Sequence, residues 1–250
     1  MIGTAGARIG ITGLGVNVPD RVVTNEELAG LVDTSDGWIR ERTGIRERRI
    51  AADDEALTDV ALPAVSRALA DAGADPADID LVIAATVTPD MLFPTSSALV
   101  ADALGMRGAA AYDLLAGCTG FMYAIAQAYG MLASGLSRKA LVIGGDVLSK
   151  ILDWSDRSTI VLFGDGAGAV VMEPVARGGF LGFELGADGA GGEHLCYPGS
   201  GSRRADGNRS LTMNGREVFK FATRVLVSSA TALLDRCGKT VDEIDVYVPH

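Results

Sequence analysis

Residues 109–136, AAAYDLLAGCTGFMYAIAQAYGMLASGL, decide how the rest of the chain is read. A short apolar run ends at Leu114 and Leu115, breaks at Ala116-Gly117-Cys118-Thr119-Gly120, and resumes as a segment of helical length. From Phe121 to Leu132 the polar side chains are Gln127 and the hydroxyls of Tyr123 and Tyr129. A helix apolar on nearly every face belongs inside a core. The stretch therefore reads as strand, glycine-flanked turn and buried helix, with Cys118 at the helix N-terminus. Unpaired N–H groups and the positive end of the helix dipole favour a thiolate there. The flanking glycines allow a tight turn and leave room for a carbonyl, and cysteine is a nucleophile of acyl transfer through thioesters. This reading predicts a Cys118 that titrates below a free thiol. The competing reading is a small buried hydrophobe, as most free cysteines are, and the residues alone leave the two even. Residues 114–136 carry no Asp, Glu, Lys or Arg, the formal mark of a membrane span. The Gly-Cys-Thr-Gly break, Gln127, the alanine-rich make-up and the lack of a second such segment argue against one.

The chain has 250 residues, enough for one large domain or two smaller ones, and is 48% hydrophobic and 22% charged. Its formal net charge of −10 disfavours nucleic acid as the main partner, so an anionic ligand must meet a local basic cluster. Three cysteines, Cys118, Cys196 and Cys237, make no disulfide framework. With His194 and His250 beside them they show no zinc spacing, and no metal is expected. The N-terminus has neither a basic segment nor a long apolar one, so no signal peptide is read there and a reducing cytoplasm is expected.

Residues 8–12 read as a strand and Gly13-Leu14-Gly15 as a turn. The pair resembles the start of a dinucleotide fingerprint, but Val16–Val18 and Pro19 follow where a helix should open. Thr24-Asn25-Glu26-Glu27 is a capping box for a helix through Leu31. The arginine-rich run 33–49 embeds Trp38, whose indole beside guanidinium planes suits stacking on a base. Helical spacing over 57–72, with Pro63 tolerable only in a first turn, predicts a helix from Thr58 or Asp59 to Gly73. Strands are expected at 79–86 and 140–143 and a helix at 94–104. The glycine run 164–169 is placed between extended segments 159–163 and 170–172, where it serves close backbone packing better than phosphate cradling. Residues 186–210 read as a long mobile loop of the lid kind.

A distant repeat organises the whole. Residues 68–84, ALADAGADPADIDLVIA, match 232–248, ALLDRCGKTVDEIDVYV, with Ile79 on Ile244, an offset of 165 residues (244 − 79). An offset this long suggests a duplicated domain: 1–174 as the first half, carrying Cys118, and 175–250 as the start of the second. By that symmetry roughly eighty to ninety further residues would complete the second half. Residues 1–250 alone are then expected to express insolubly, with unpaired strand edges and an uncovered apolar helix.

Several separated blocks carry a resemblance. They are YDLLAGCTGF at 112–121, TSDGWI at 34–39 with RTGI at 42–45, Asp156-Arg157, FGDGAGA at 163–169, NGREVFK at 214–220 and VPH at 248–250. Together, and in this order, they resemble β-ketoacyl-acyl carrier protein synthase III from near Arg8 to the last residue. The resemblance implies an α/β thiolase-like fold, two duplicated halves stacked as an α-β-α-β-α sandwich, here with an incomplete second half, and a homodimer. It implies an acyltransferase of fatty-acid synthesis without a cofactor beyond the coenzyme A thioester it consumes. Cys118 would take an acyl group, usually acetyl, from acyl-CoA. The carbanion of malonyl-acyl carrier protein would then attack the acyl-cysteine with loss of carbon dioxide.

By the same resemblance His250 stabilises the enolate oxygen. Its partner asparagine, and the glycine completing the oxyanion hole, would lie beyond His250. A missing oxyanion donor costs about 3 kcal/mol of transition-state stabilisation, so little condensation is expected of 1–250. Trp38 and Arg157 match the residues that sandwich adenine, with Thr34 and Arg42 near the phosphate and ribose. Gly215 and Phe219 match the pantetheine tunnel, and Phe93 a residue that reaches into the partner's acyl pocket. Arg216, Lys220 and Arg224, at helical spacing, would receive the acidic carrier protein. No membrane and no nucleic acid enter this picture. The other readings are a related enzyme that primes a polyketide or acylates another acceptor, and a non-catalytic thiolase-fold subunit, against which Cys118 and His250 both argue.

Overall fold

Apolar strands alternate with helices along the first 174 residues, and such alternation folds as helices on both faces of a sheet. The computed structural model describes residues 8–199, 201–202 and 209–250. In order they form β1 (Ile9–Asn17), β2 (Arg21–Thr24), α1 (Asn25–Ala29), α2 (Asp36–Thr43), β3 (Glu47–Ile50), α3 (Leu57–Ala72), β4 (Leu81–Ala85) and α4 (Ser96–Ala103). There follow β5 (Ala110–Leu114), α5 (Gly120–Ala133), β6 (Ala140–Val147), α6 (Arg157–Ile160), β7 (Asp165–Pro174), β8 (Leu195–Cys196), β9 (Thr212–Met213) and α7 (Gly215–Cys237). Five strands make one mixed sheet in the order β1-β7-β6-β4-β5, with β4 parallel to both its neighbours and β7 antiparallel to β1 and β6.

The central strands are buried on both faces, which is why β4 reads as a continuous apolar run. Val82 and Ala84 join the core under α3, while Leu81, Ile83 and Ala85 join the core under α5. Beyond α5 lies a segment without regular structure. Its Phe180 and Phe183 pack against Tyr129, and Gly182 lies close to Leu233 and Cys237 of α7. The succession α3, sheet, α5, segment 180–186, α7 follows the thiolase-like layering.

Several boundaries differ from the sequence reading. β1 runs straight through Gly13-Leu14-Gly15 because β7 pairs with it on both sides of a bulge at Ile11/Gly13. The glycines serve packing: a Cβ at Gly13 would sit 2.2 Å from the Ala68 carbonyl oxygen, and one at Gly15 2.0 Å from that of Ala64. α1 has its capping box but ends at Ala29, and α3 starts at Leu57 with Pro63 inside it. Residues 157–160 turn as a helix capped by Asp156, so the expected extended segment at 159–163 does not form, and the glycine run from Asp165 onward lies within β7. α5 buries one face only, through Gly120, Ala124, Ile125, Ala128 and Leu132, while Met122 is half exposed.

The 165-residue offset recurs in geometry. Gly73 and Gly238 end α3 and α7 in the left-handed region, at φ 60° and 62°, and 3-10 turns follow at Pro76–Asp78 and Val241–Glu243. The repeat places an apolar strand after Ile244, as after Ile79, but residues 244–250 carry no regular structure and are exposed, and no strand among the described residues pairs with them. The long loop carries a 3-10 helix at Gly189–His194 leading into β8; residues 200 and 203–208 lie outside the described residues. Among the described residues no helix is long and apolar enough to cross a membrane.

The glycine contacts make a matched test. Gly15→Ala should destabilise the protein by about 2–3 kcal/mol in denaturant unfolding, because backbone stands in the way. Gly130→Ala, on α5 with open space around it, should stabilise by about 0.5–1 kcal/mol. Equal effects would refute the close β1–α3 approach.

Candidate active site

Cys118 stands where β5 hands the chain to α5. Gly117 takes φ 57°, a conformation that a side chain disfavours, and starts a 3-10 turn over Gly117–Thr119. The Thr119 hydroxyl donates to the Ala116 carbonyl (3.0 Å), and the Gly120 N–H to the Gly117 carbonyl. A Cβ at Gly120 would meet Ala85 at 3.3 Å, and one at Gly144 would enter the Phe121 ring at 2.7 Å. Strand ends and helix start are thus drawn together beneath the cysteine. The Cys118 residue presents exposed surface, while its sulfur is set largely among protein atoms.

Its acidity runs opposite to the helix-terminus expectation. Burial of the sulfur pushes the Cys118 thiol up, the nearby Asp146 carboxylate adds to this, and the cysteine's own N–H works against both. Two local terms of one sign outweigh the helix end, where Cys118 sits in the tight turn rather than inside α5. Asp146 is the residue that the sequence reading missed. Its signal was available: a lone acid closing the apolar strand ALVIGGDV.

The aromatic site is assembled from α2 and α6. Ser35 caps α2 by accepting the Trp38 N–H, and Ile39 anchors the helix in the core, which leaves the indole partly exposed. The Arg157 guanidinium lies 4.2 Å from the Trp38 ring centroid and that of Arg42 lies 4.6 Å away. Trp38, Arg42 and Arg157 are therefore brought together, with Arg157 stacked on the indole. Thr34 is adjacent, but its Oγ1 is buried without a hydrogen-bond partner.

The remaining candidates spread out. Phe219 and Gly215 lie on α7, where no residue is buried, and Phe219 is 69% exposed. Lys220 pairs with Glu217 at 2.7 Å and holds its carboxyl below the ordinary value. Lys220 and Arg224 line a cavity of about 520 Å³ with His194, Asp188 and Phe221, whereas Arg216 does not line it. Phe93 is 84% exposed, beside Leu92. His250 is exposed and, among the described residues, makes no hydrogen bond. Among the described residues no three His, Cys, Asp or Glu side chains converge as a metal site.

Comparison with known proteins bears on this arrangement. Residues 112–189 match the family described as 3-oxoacyl-[acyl-carrier-protein (ACP)] synthase III. A β-ketoacyl-[acyl-carrier-protein] synthase III of Symbiobacterium thermophilum is 53% identical over 97% of this chain and 76% of its own length. The chain belongs to the β-ketoacyl-[acyl-carrier-protein] synthase III family. The crystal structure of the Thermus thermophilus member has a TM-score of 0.88 and 48% identity, over 94% of this chain and 74% of that one. A priming β-ketosynthase of a polyketide biosynthetic pathway follows the same fold, with a TM-score of 0.86 and 36% identity over 95% of this chain and 73% of its own. The fold is thiolase-like, and the chain is an acyltransferase of the condensing class, with Cys118 in the matched region.

The raised thiol predicts the pH dependence of Cys118. The thiolate is the reactive form, so iodoacetamide labelling should stay slow through neutrality and climb as pH rises through an inflection above that of a model thiol. Peptide mass spectrometry separates Cys118 from Cys196 and Cys237. An inflection at or below the model thiol would contradict the site described.

Proposed function

We propose that this chain primes acyl-chain synthesis in two steps at Cys118, with acyl-CoA and then malonyl-acyl carrier protein as substrates. In the first, the sulfur gives up its proton and attacks the thioester carbonyl. A carbon–sulfur bond to Cys118 forms, and coenzyme A leaves as a thiolate that takes up a proton. In the second, malonyl-acyl carrier protein loses carbon dioxide, and the resulting carbanion attacks the acyl-cysteine carbonyl. The Cys118 thiolate leaves and is reprotonated, and the product is a 3-oxoacyl-acyl carrier protein. The observation that carries this reading is the exposed Cys118 residue on a glycine turn, in a chain half identical to named synthases.

The roles of the other residues follow the resemblance. Trp38 would stack the adenine of coenzyme A once a guanidinium yields its place on the indole, with Arg42 and Thr34 toward the ribose and phosphate. Gly215 and Phe219 would line the pantetheine path, and His250 would serve the enolate oxygen. Lys220, Arg224 and, from the same helix, Arg216 would meet the acidic carrier protein, although the α7 cavity that Lys220 and Arg224 line also holds Asp188 and Glu217. Homodimer formation is supported by β5 at the sheet edge and by exposed Leu92, Phe93 and Leu115. The halves 1–174 and 175–250 are proposed as duplicated domains, and a cytoplasmic setting goes with these substrates. The polyketide relative supports a second reading, in which the same chemistry primes a polyketide.

Coenzyme A binding tests the assignment. With Trp154 replaced by Phe, quenching of the remaining Trp38 fluorescence should titrate with acetyl-CoA. Arg157→Ala should weaken that binding by about tenfold, the order expected of a desolvated cation–π partner, with Cys118 alkylation unchanged. No quenching, or equal affinity in the variant, would remove the adenine site from Trp38 and Arg157.

A further inference from the structure

Asp146 has no part in the chemistry above, yet it sits beneath the nucleophile. Along β6 alternate residues face opposite sides of the sheet. Leu141 and Ile143 face the α3 core, while Ala140 and Val142 face the α5 core. Gly144 continues that second face against the Phe121 ring, so Asp146, one step further, faces the turn that leads into α5. Its Oδ1 accepts four hydrogen bonds from three consecutive residues: the Thr86 hydroxyl (2.9 Å), the Val87 N–H (2.8 Å), the Thr88 N–H (3.2 Å) and the Thr88 hydroxyl (2.9 Å). The clamped segment passes the constraint on. The Thr86 N–H donates to the Leu114 carbonyl at 3.1 Å, at the end of β5, and the Thr88 hydroxyl accepts the Val147 N–H at 2.8 Å. Asp146, Thr86, Leu114 and the Cys118 turn form one connected path.

All four donors converge on one oxygen. A charged acceptor draws such donors more strongly than a neutral amide oxygen would, so the clamp and the charge belong together. A half-buried carboxylate costs desolvation energy. None of β4, β5 and α5 places a cationic side chain beside this charge. β4 carries no ionisable side chain and α5 carries only tyrosines. On β5, Tyr112 donates to Gln127, and Asp113 accepts the Ser96 and Ser97 N–H groups. Asp146 is the carboxylate whose field reaches the Cys118 sulfur.

We propose that Asp146 is a positioning residue for acyl transfer: its Oδ1 fixes the 86–88 segment beneath the Cys118 turn, and its charge keeps the proton on the cysteine until a thioester arrives. The role rests on Cys118 as the acyl acceptor. A negative neighbour raises the energy of the thiolate and leaves the neutral thioester unaffected. The resting enzyme is thereby protected from adventitious electrophiles, and the acylated cysteine resists expulsion as a thiolate until the condensing carbanion attacks.

The test needs no substrate, so its failure is distinct from failure of the proposed function. Labelling of Cys118 by iodoacetamide is followed against pH by peptide mass spectrometry in three proteins. Asp146→Asn keeps an acceptor oxygen and removes the charge; its labelling at pH 7 should be several-fold faster than in the parent, with the inflection displaced downward. Thr86→Val removes a clamp hydroxyl and keeps the charge; its melting temperature should fall while its inflection stays in place. Should the asparagine variant not fold, Asp146→Ser supplies a smaller acceptor and carries the same expectation. An unchanged inflection on loss of the charge, or equal displacement in Thr86→Val, would overturn the proposal and leave Asp146 a purely structural clamp.

Discussion

The chain has to leave the edge of a sheet and enter a buried helix face within a few residues, and Gly117, at φ 57°, is what allows it. That turn works only if the two elements it joins are close. Closeness is secured by two further small residues: Gly120 against Ala85, and Gly144 against the Phe121 ring. On the opposite face Gly13 and Gly15 let α3 lie directly on β1. With both faces of the sheet held, the position of Cys118 follows from packing, and the nucleophile costs the fold no additional strain beyond one glycine.

Electrostatics at this turn oppose the simplest account of a helix-terminal cysteine. The dipole of a helix acts most strongly within its first turn and is screened where solvent has access. Desolvation of the sulfur and the Asp146 carboxylate act at shorter range and in the opposite sense. The site therefore holds a thiol that needs a proton acceptor at the moment of attack. At the aromatic site the guanidinium groups of Arg42 and Arg157 already lie over the Trp38 indole.

Local features were legible in the sequence because they depend on few residues. The glycine-cysteine turn, the capping box at Thr24 and the cap of α3 at Gly73 are each written in three or four positions. The misreadings involve partners distant in sequence. Gly13-Leu14-Gly15 looks like a turn until β7 pairs with it, and the apolar end of the second repeat, up to Val248, looks like a strand although no strand among the described residues pairs with it. The direction of the Cys118 shift required Asp146, 28 residues away in sequence (146 − 118), to be brought under the turn by sheet order. The resemblance puts Thr34 near the phosphate and ribose of coenzyme A, but its hydroxyl is buried.

The central claim is that Cys118 is the acyl acceptor, and covalent chemistry tests it most directly. The protein is incubated with acetyl-CoA, digested without reductant at low pH, and its three cysteine peptides are examined by mass spectrometry. The account predicts one acetyl group on the Cys118 peptide, reversible by hydroxylamine, with Cys196 and Cys237 unmodified. An unmodified Cys118, or acetyl distributed equally over the three cysteines, would contradict it.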